Sequence, residues 1–348
     1  MIESIVLKNF RNHKEVKVDF SPTTNLIYGP NGAGKTSILE AIYCTYRGSS
    51  FKGSDREAVR DNTEWFTIEL HDDEGMRRLT YDLRNERASK KFTVDDKEYA
   101  RLPPKFKRPI VLFSPDDLLL LTGSPTRRRR YIDTMIAQIN PQYATILSKY
   151  ERALVQRNKL LKSSACTPDA LFSWNVLLSE YGATIINERR SAVAYLNERA
   201  TQYYCLISDD KSLIEITYTH ALVTAHQLFS ALETNYERDR LLGVTTVGPH
   251  RHDIVISMNG KRAVDIASRG ENRTIVLMLK RLETDHIADV TGRMPLVLLD
   301  DVLGELDESR QAKTLLEFSD FQTIITSTQL LATGAADVID LSPVQENR

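Results

Sequence analysis

Alternating apolar and polar residues over residues 2–10 and 16–20 predict two half-buried strands near the start of the chain. Residues 25–28 form a short apolar run that ends in a glycine-rich loop, and residues 38–47 then follow a helical pattern. This order predicts a strand, a tight loop and a helix in succession.

The pattern further along the chain predicts an α/β architecture interrupted by helices. Strands of an antiparallel meander are expected first, and a buried strand follows at 109–113. Ser124-Pro125 is a helix-start signal, and long helices extend from there to about residue 201. The other predicted elements are meander strands at 63–70, 76–84 and 91–94, later strands at 243–247, 253–258, 296–299 and 323–327, and helices at 271–289 and 309–318.

The loop after the third predicted strand matches the phosphate-binding pattern GxxxxGK[ST]. Its glycines let backbone N–H groups converge on phosphates, while Lys35 would lie over the β- and γ-phosphates and Thr36 would offer a hydroxyl to Mg²⁺. The following helix would present its N-terminal dipole to the same charge. The sequence therefore predicts an ATP site made by Gly29, Pro30, Asn31, Gly32, Ala33, Gly34, Lys35, Thr36 and Ser37.

A second half of the site is predicted at Pro295-Leu296-Val297-Leu298-Leu299-Asp300-Asp301, an apolar strand that ends in two carboxylates. Ligands of α/β sheets bind at the carboxyl ends of the strands. Asp300 is expected to hold Mg²⁺ together with Thr36, and Asp301 to polarise the attacking water. Lys35, Asp300 and Asp301 are thus the predicted catalytic residues.

A further anion-binding helix start is predicted at Ala267-Ser268-Arg269-Gly270-Glu271. A serine at the N-cap and a glycine in the first turn leave N–H groups free for an anion. Ser268 and Gly270 are therefore candidate nucleotide contacts.

Composition adds little about function. The 348 residues carry 46 Lys and Arg against 47 Asp and Glu, so DNA binding would need a local basic patch. The three cysteines have no metal-ligand spacing, and a signal peptide or membrane span is not evident. A cytoplasmic protein without a membrane partner is expected.

Six stretches in order along the chain resemble the RecF family, whose ATPase heads are related to those of SMC proteins. They are Leu7-Lys8-Asn9-Phe10-Arg11-Asn12, Gly29 to Ser37 with Leu39-Glu40-Ala41-Ile42, Phe113-Ser114-Pro115-Asp116-Asp117-Leu118, Gly123-Ser124-Pro125 with Tyr131-Ile132-Asp133, Gly248-Pro249-His250-Arg251, and Leu298 to Leu303. The residues between the two halves show no sustained heptad pattern, so a compact insertion rather than a long coiled coil is expected.

The resemblance implies an α/β fold, namely an ABC-type P-loop ATPase head with a mixed sheet, an antiparallel β subdomain and an inserted, mostly helical second lobe. The expected domains are residues 1–122 and 243–348 for the ATPase lobe and 123–242 for the helical lobe. RecF-like proteins are expected to dimerise head to tail on ATP, with Ser268 and Gly270 closing over the γ-phosphate held by Lys35 of the other copy. By the same resemblance Arg11 would reach toward the nucleotide, and Asp307 would belong to the dimer contact.

The family's function implies binding of duplex or gapped DNA, help in loading recombinase, a place in DNA replication, repair and the SOS response, and RecR- and RecO-type partners. Several departures from the wider cassette pattern predict weak, slow ATP hydrolysis. No glutamine precedes Gln138 and no histidine follows His286, while Asp301 replaces the usual glutamate. Thr326 and Thr328 lie where a switch histidine is usual.

Basic residues after the P-loop helix, Lys52, Arg56 and Arg60, are the candidate DNA-facing group, through contact with the duplex backbone. The run Arg127-Arg128-Arg129-Arg130 opens a helix, where it would contact phosphate or pair with acidic neighbours. His250 and His252 with Asp253 resemble metal ligands, but successive strand positions face opposite ways, which favours a structural role.

Three alternatives remain open from the sequence. A transporter's nucleotide-binding subunit would share the P-loop, but it should carry the glutamine and histidine that are missing here. An SMC-like ATPase of another chromosome or defence system would lack the Phe-Ser-Pro-Asp-Asp-Leu and Gly-Pro-His-Arg stretches. An ATP-gated interaction protein with vestigial hydrolysis is compatible with Asp301.

Overall fold

The computed structural model describes residues 1–341, except for residues 85–86, 165, 209, 220–223, 306–307 and 331–335. Asp307, expected at a dimer contact, therefore lies outside the described residues. The chain divides into two compact units, the first made of residues 1–117 and 287–348 and the second of residues 118–286. No described helix has the length and apolarity needed to cross a lipid bilayer.

Most strands and helices follow the order that the sequence pattern predicts, with several additions and one predicted strand absent. The strands are β1 (Ile2–Phe10), β2 (His13–Asp19), β3 (Thr24–Tyr28), β4 (Trp65–Asp72), β5 (Gly75–Asp82), β6 (Ser89–Val94), β7 (Lys97–Tyr99), β8 (Ile110–Phe113), β9 (Ile214–Tyr218), β10 (Ile254–Met258), β11 (Lys261–Arg262), β12 (Leu296–Asp300), β13 (Thr323–Ser327) and β14 (Asp337–Asp340). The helices are α1 (Lys35–Arg47), α2 (Leu119–Thr122), α3 (Pro125–Ile139), α4 (Pro141–Leu161), α5 (Pro168–Ser208), α6 (Ala225–Thr234), α7 (Tyr236–Leu242), α8 (Ala263–Ile266), α9 (Arg269–Thr291) and α10 (Glu308–Glu317).

The first unit places α1 between two sheets. A five-stranded parallel sheet has the order β14-β3-β13-β12-β8, and a six-stranded antiparallel sheet has the order β2-β1-β4-β5-β6-β7. Strands β12 and β13 are buried on both faces, as expected for the centre of a parallel sheet. Apolar residues of α1 and of both sheets share one core, so the helix that follows the loop is packed into the core of the unit.

The second unit is mainly helical. The 41-residue helix α5 packs against α3, α4 and α6 and against β9, which belongs to a small antiparallel sheet of order β11-β10-β9. Arg157 and Asp239 form a completely buried ion pair, 2.7 Å between Nη1 and Oδ2, inside this unit. The desolvation of two buried charges can offset their attraction, so the pair is weak evidence of added stability, whereas loss of one partner would leave a buried, unpaired charge.

The expected fold class, an ABC-type head with an inserted helical lobe, is confirmed, but two details differ from the sequence interpretation. Residues 243–247 are not a strand, because the N–H groups of Thr245 and Thr246 bind the side chains of Asn158 and Asp239 instead of a neighbouring strand. The helical unit also continues to residue 286 rather than ending at 242, because β10 pairs with β9. It begins at residue 118 rather than 123.

Candidate functional site

The P-loop joins β3 to α1 at the carboxyl edge of the parallel sheet. Lys35 is 7% exposed, and its Nζ donates to the carbonyl oxygens of Gly29 at 2.8 Å and Pro30 at 2.9 Å. These bonds keep the ammonium group within the loop. A phosphate entering the loop would therefore meet a cation that is already in place.

Backbone strain makes glycine necessary at the end of the loop. Gly34 has φ 90°, and a Cβ built there would overlap the side chains of Asn12 and His13. Those two side chains also bind the loop, since Asn12 Nδ2 donates to Gly32 O at 2.8 Å and His13 Nε2 lies 3.1 Å from Gly34 O. Burial lowers the pKa of His13, which favours the neutral ring.

The role of Asn12 and His13 as supports of the P-loop was not predicted. Asn12 was noted only as part of a matching stretch, and the contact joins residues about twenty positions apart. Only the family-like stretch Leu7 to Asn12 signalled that this turn matters.

Asp300 lies beside the P-loop at the end of β12, as predicted. Its Oδ1 accepts hydrogen bonds from Thr36 Oγ1 at 2.7 Å and from Thr326 Oγ1 at 2.9 Å. Both hydroxyls bind the same oxygen, and no hydrogen bond to Oδ2 comes from the part of the chain that the structure describes. A hydroxyl and a carboxylate at this spacing fit the oxygen ligands that Mg²⁺ takes, with phosphate and water oxygens completing its coordination.

Asp301 follows in a left-handed backbone conformation, with φ 54°. Its N–H binds both the carbonyl and the hydroxyl oxygen of Thr326, at 3.2 and 2.9 Å. Aspartate enters this region of φ more readily than most residues, which gives a physical reason for aspartate at this position. Burial raises the pKa of Asp301, as does the charge of Asp300, while Lys35 opposes the rise.

Arg11 lines the nucleotide cleft, but its guanidinium is anchored. Its Nε and Nη2 donate to the two oxygens of the fully buried Glu40, at 2.9 and 2.6 Å, and its Nη1 donates to Glu57 O at 2.7 Å. The hydrogen bond to Glu40 raises the pKa of Arg11. Arg11 thus supports the cleft wall, and contact with phosphate remains a prediction.

The cleft itself has a volume of about 490 Å³. Its wall contains Lys35, Thr36, Ser37 and Asp301, all predicted from the sequence, together with Arg11. It also contains Lys52, which was expected to face DNA. Arg56 and Arg60 do not line this cleft, so the predicted DNA-facing group is divided between two environments.

The predicted anion-binding helix start at Ser268 lies in the second unit and is capped. Ser268 N donates to Glu271 Oε2 at 2.6 Å, and Glu271 N donates to Ser268 Oγ at 3.3 Å. This reciprocal pair is a capping box, in which glutamate and glutamine are interchangeable. Ser268, which precedes the 23-residue helix α9, and Arg269, its first residue, are both exposed, so this helix start is accessible to another molecule.

The arginine run at the start of α3 pairs within the second unit. Arg128 forms a bidentate ion pair with Asp253, both distances being 2.8 Å, and also donates to carbonyl oxygens near the end of α2. Arg129 donates to His252 O at 2.8 Å. For these two residues, pairing with neighbours accounts for a positive charge at a helix start.

His250, in the Gly-Pro-His-Arg stretch, and His252, which follows it, make structural contacts. His250 Nδ1 lies 2.7 Å from the Tyr150 hydroxyl and its Nε2 lies 3.0 Å from Thr245 O, while His252 Nδ1 lies 2.8 Å from the Tyr218 hydroxyl. Burial lowers the pKa of His250 to about 4. Within the described ranges, no cluster of three or more His, Cys, Asp or Glu could hold a metal ion.

Comparisons with known proteins agree with this geometry. A family model described as an AAA domain matches residues 4–164. The DNA replication and repair proteins RecF of Lachnoclostridium phytofermentans and Agathobacter rectalis are 36% and 38% identical to this chain, over 95% of it and over 93% and 92% of their own lengths.

Solved structures give the same result. The recombination mediator protein RecF with ATPrS, in the RecFOR pathway, has a TM-score of 0.86 and 31% identity, covering 98% of this chain and 95% of that one. An Smc head bound to the C-winged helix domain of ScpA is only 16% identical, with a TM-score of 0.57 over 97% of this chain and 94% of its own, and shows the fold alone.

Proposed function

This chain belongs to the RecF family of DNA replication and repair proteins, and we propose from that premise that it is an ATP-gated DNA-binding protein. It binds ATP with Mg²⁺, pairs head to tail with a second copy, holds duplex or gapped DNA in the cytoplasm, and is released by slow hydrolysis. Its task is to help load recombinase together with RecR- and RecO-type mediators.

The observation that carries this proposal is that the hydroxyls of Thr36 and Thr326 both donate to one carboxylate oxygen of Asp300, while the P-loop that carries Thr36 also holds the Lys35 ammonium group. Three segments far apart in sequence meet here with the groups that a magnesium nucleotide needs. Solved relatives contain ATP or ATPrS, which supports the choice of ligand.

Head-to-tail pairing is supported by the exposed helix start at Ser268. Ser268 and Gly270 of one copy would contact the γ-phosphate bound by Lys35 of the other, because helix N-termini favour anions. Pairing would also double any basic surface, which suits a chain whose net charge is only −1.

Slow hydrolysis follows from the group that would act on water. Asp301 is one methylene shorter than glutamate, and its position is fixed by two bonds from its N–H to Thr326. A carboxylate with a short side chain on a fixed backbone has little freedom to approach the attacking water. We therefore expect a timed switch rather than a motor.

The test is the size of the protein in solution with ATP, with ADP and without nucleotide, each with and without duplex DNA. The parent should form a dimer with ATP alone and bind duplex more tightly in that state. Lys35→Met should stay monomeric, because the cation that meets the phosphates is lost. Dimerisation and tight duplex binding by Lys35→Met on adding ATP would overturn the proposal.

A further inference from the structure

Three cations line the nucleotide cleft, and their surroundings differ. Lys35 binds two carbonyl oxygens of the P-loop, and Arg11 binds Glu40 and Glu57 O. Lys52 is exposed, and its ammonium group makes no hydrogen bond or ion pair with any residue that the structure describes. Lys52 is therefore the cation of this wall whose charge stays available to a bound anion.

The backbone of Lys52 is fixed although its side chain is free. Its N–H donates to Ser50 Oγ at 2.9 Å, and the Ser50 hydroxyl donates in turn to Glu40. Glu40 is the buried carboxylate of α1 that also holds Arg11. One carboxylate on the P-loop helix thus positions both Arg11 and the segment that carries Lys52.

The short helical turn Asp55–Ala58, which follows Lys52, is fixed by its own cap. Ser54 and Glu57 form a capping box, with Glu57 N to Ser54 Oγ at 3.4 Å and Ser54 N to Glu57 Oε2 at 3.1 Å. Arg56 lies within this turn and is also exposed, but it does not line the cleft. Two exposed cations four residues apart are therefore held in different surroundings by the same local structure.

We infer that Lys52 is a nucleotide-binding residue, which supplies a second lysine to the phosphate chain of ATP, rather than a DNA contact. The inference rests on the proposed ATP site and adds a residue to it. A phosphate chain carries several charges that Lys35 alone does not neutralise, and a lysine ammonium serves as a point charge for phosphate. The shared anchor on Glu40 couples this contact to the P-loop helix.

The test is calorimetric titration of ATP and ADP with Mg²⁺ into the parent and into Lys52→Ala, Lys52→Arg and Arg56→Ala. Loss of one charged phosphate contact should weaken ATP binding by about tenfold or more in Lys52→Ala. Lys52→Arg keeps the charge and should stay close to the parent, and Arg56→Ala is the matched control from the same turn. Equal weakening for ATP and ADP would assign the contact to the α- or β-phosphate, and weakening for ATP alone to the γ-phosphate.

Duplex affinity at saturating ATP separates the two possible roles. Lys52→Ala should then bind DNA like the parent, because nucleotide occupancy has been restored. ATP affinity equal to that of the parent in Lys52→Ala overturns the inference. Lower duplex affinity of the same variant at saturating ATP also overturns it, because Lys52 would then contact DNA. If the parent itself binds no ATP, the proposed function fails instead.

Discussion

Replacing Thr326 by valine tests whether the second hydroxyl on Asp300 matters for ATP hydrolysis. Valine keeps the shape of the side chain but removes the donor that lies 2.9 Å from Asp300 Oδ1. Thr36 still donates to the same oxygen at 2.7 Å, and the carbonyl oxygen of residue 326 still accepts the Asp301 N–H. The substitution therefore removes the charged hydrogen bond to Asp300 and the neutral one that the hydroxyl accepts from the Asp301 N–H, and it leaves the backbone bond between residues 301 and 326 in place.

The expected change in rate is estimated from the charged bond to Asp300, which is the stronger of the two. A hydrogen bond to a charged group contributes about 1.5–3 kcal/mol, and about 1.4 kcal/mol corresponds to a tenfold change in rate. Asp300 is 6% exposed, so water replaces the lost hydroxyl poorly. We expect Thr326→Val to hydrolyse ATP about tenfold more slowly or worse.

The assay is phosphate release under saturating ATP over a range of Mg²⁺ concentrations. Thr323→Val is the matched control, because Thr323 is buried in the same strand but its hydroxyl binds Phe318 O and Phe321 O. The control should hydrolyse ATP at nearly the parental rate. A parental rate and an unchanged Mg²⁺ requirement in Thr326→Val would refute the reasoning.

The second unit allows two further predictions. Arg157→Leu should destabilise the protein by about 3–5 kcal/mol in urea unfolding, because Asp239 would be left as a buried, unpaired charge. The control Arg152→Leu, at an exposed arginine that donates to the carbonyl and hydroxyl oxygens of Ser148, should stay within about 0.5 kcal/mol, and equal losses in both would contradict this account. The pKa of His250 is lowered to about 4 from an ordinary value near 6.5, so the unfolded state binds more protons between these values and stability falls as pH drops through that window. His250→Gln should flatten the dependence of the urea midpoint on pH between about 6.5 and 4, and an unchanged slope would exclude His250 as its source.

Local sequence was sufficient for the P-loop, because its backbone chemistry is contained within eight consecutive residues. The strand that ends in Asp300 was likewise evident from four buried residues before a pair of carboxylates. Residues 243–247 show the opposite case. Their strand-like composition was overridden by side chains of α4 and α7 that satisfied the backbone N–H groups.

Contacts at long range explain why the rest of the site was not predictable. The environment of Arg11 depends on Glu40, and that of Lys52 depends on Ser50 and the same glutamate. A pattern of basic residues reports charge, but it does not report which charges are already neutralised. Lys52, Arg56 and Arg60 therefore looked alike in the sequence and differ in the structure.

The sequence by itself determined the chemical groups of the site and their order: a phosphate loop, two carboxylates and a capped helix start. Only the tertiary structure decided which of these groups meet, because parallel strand pairing brings Thr36, Asp300 and Thr326 to one sheet edge from positions up to 290 residues apart. Hydrogen-bonding groups are local properties of residues, whereas the partner that each group finds is set by packing of the whole chain.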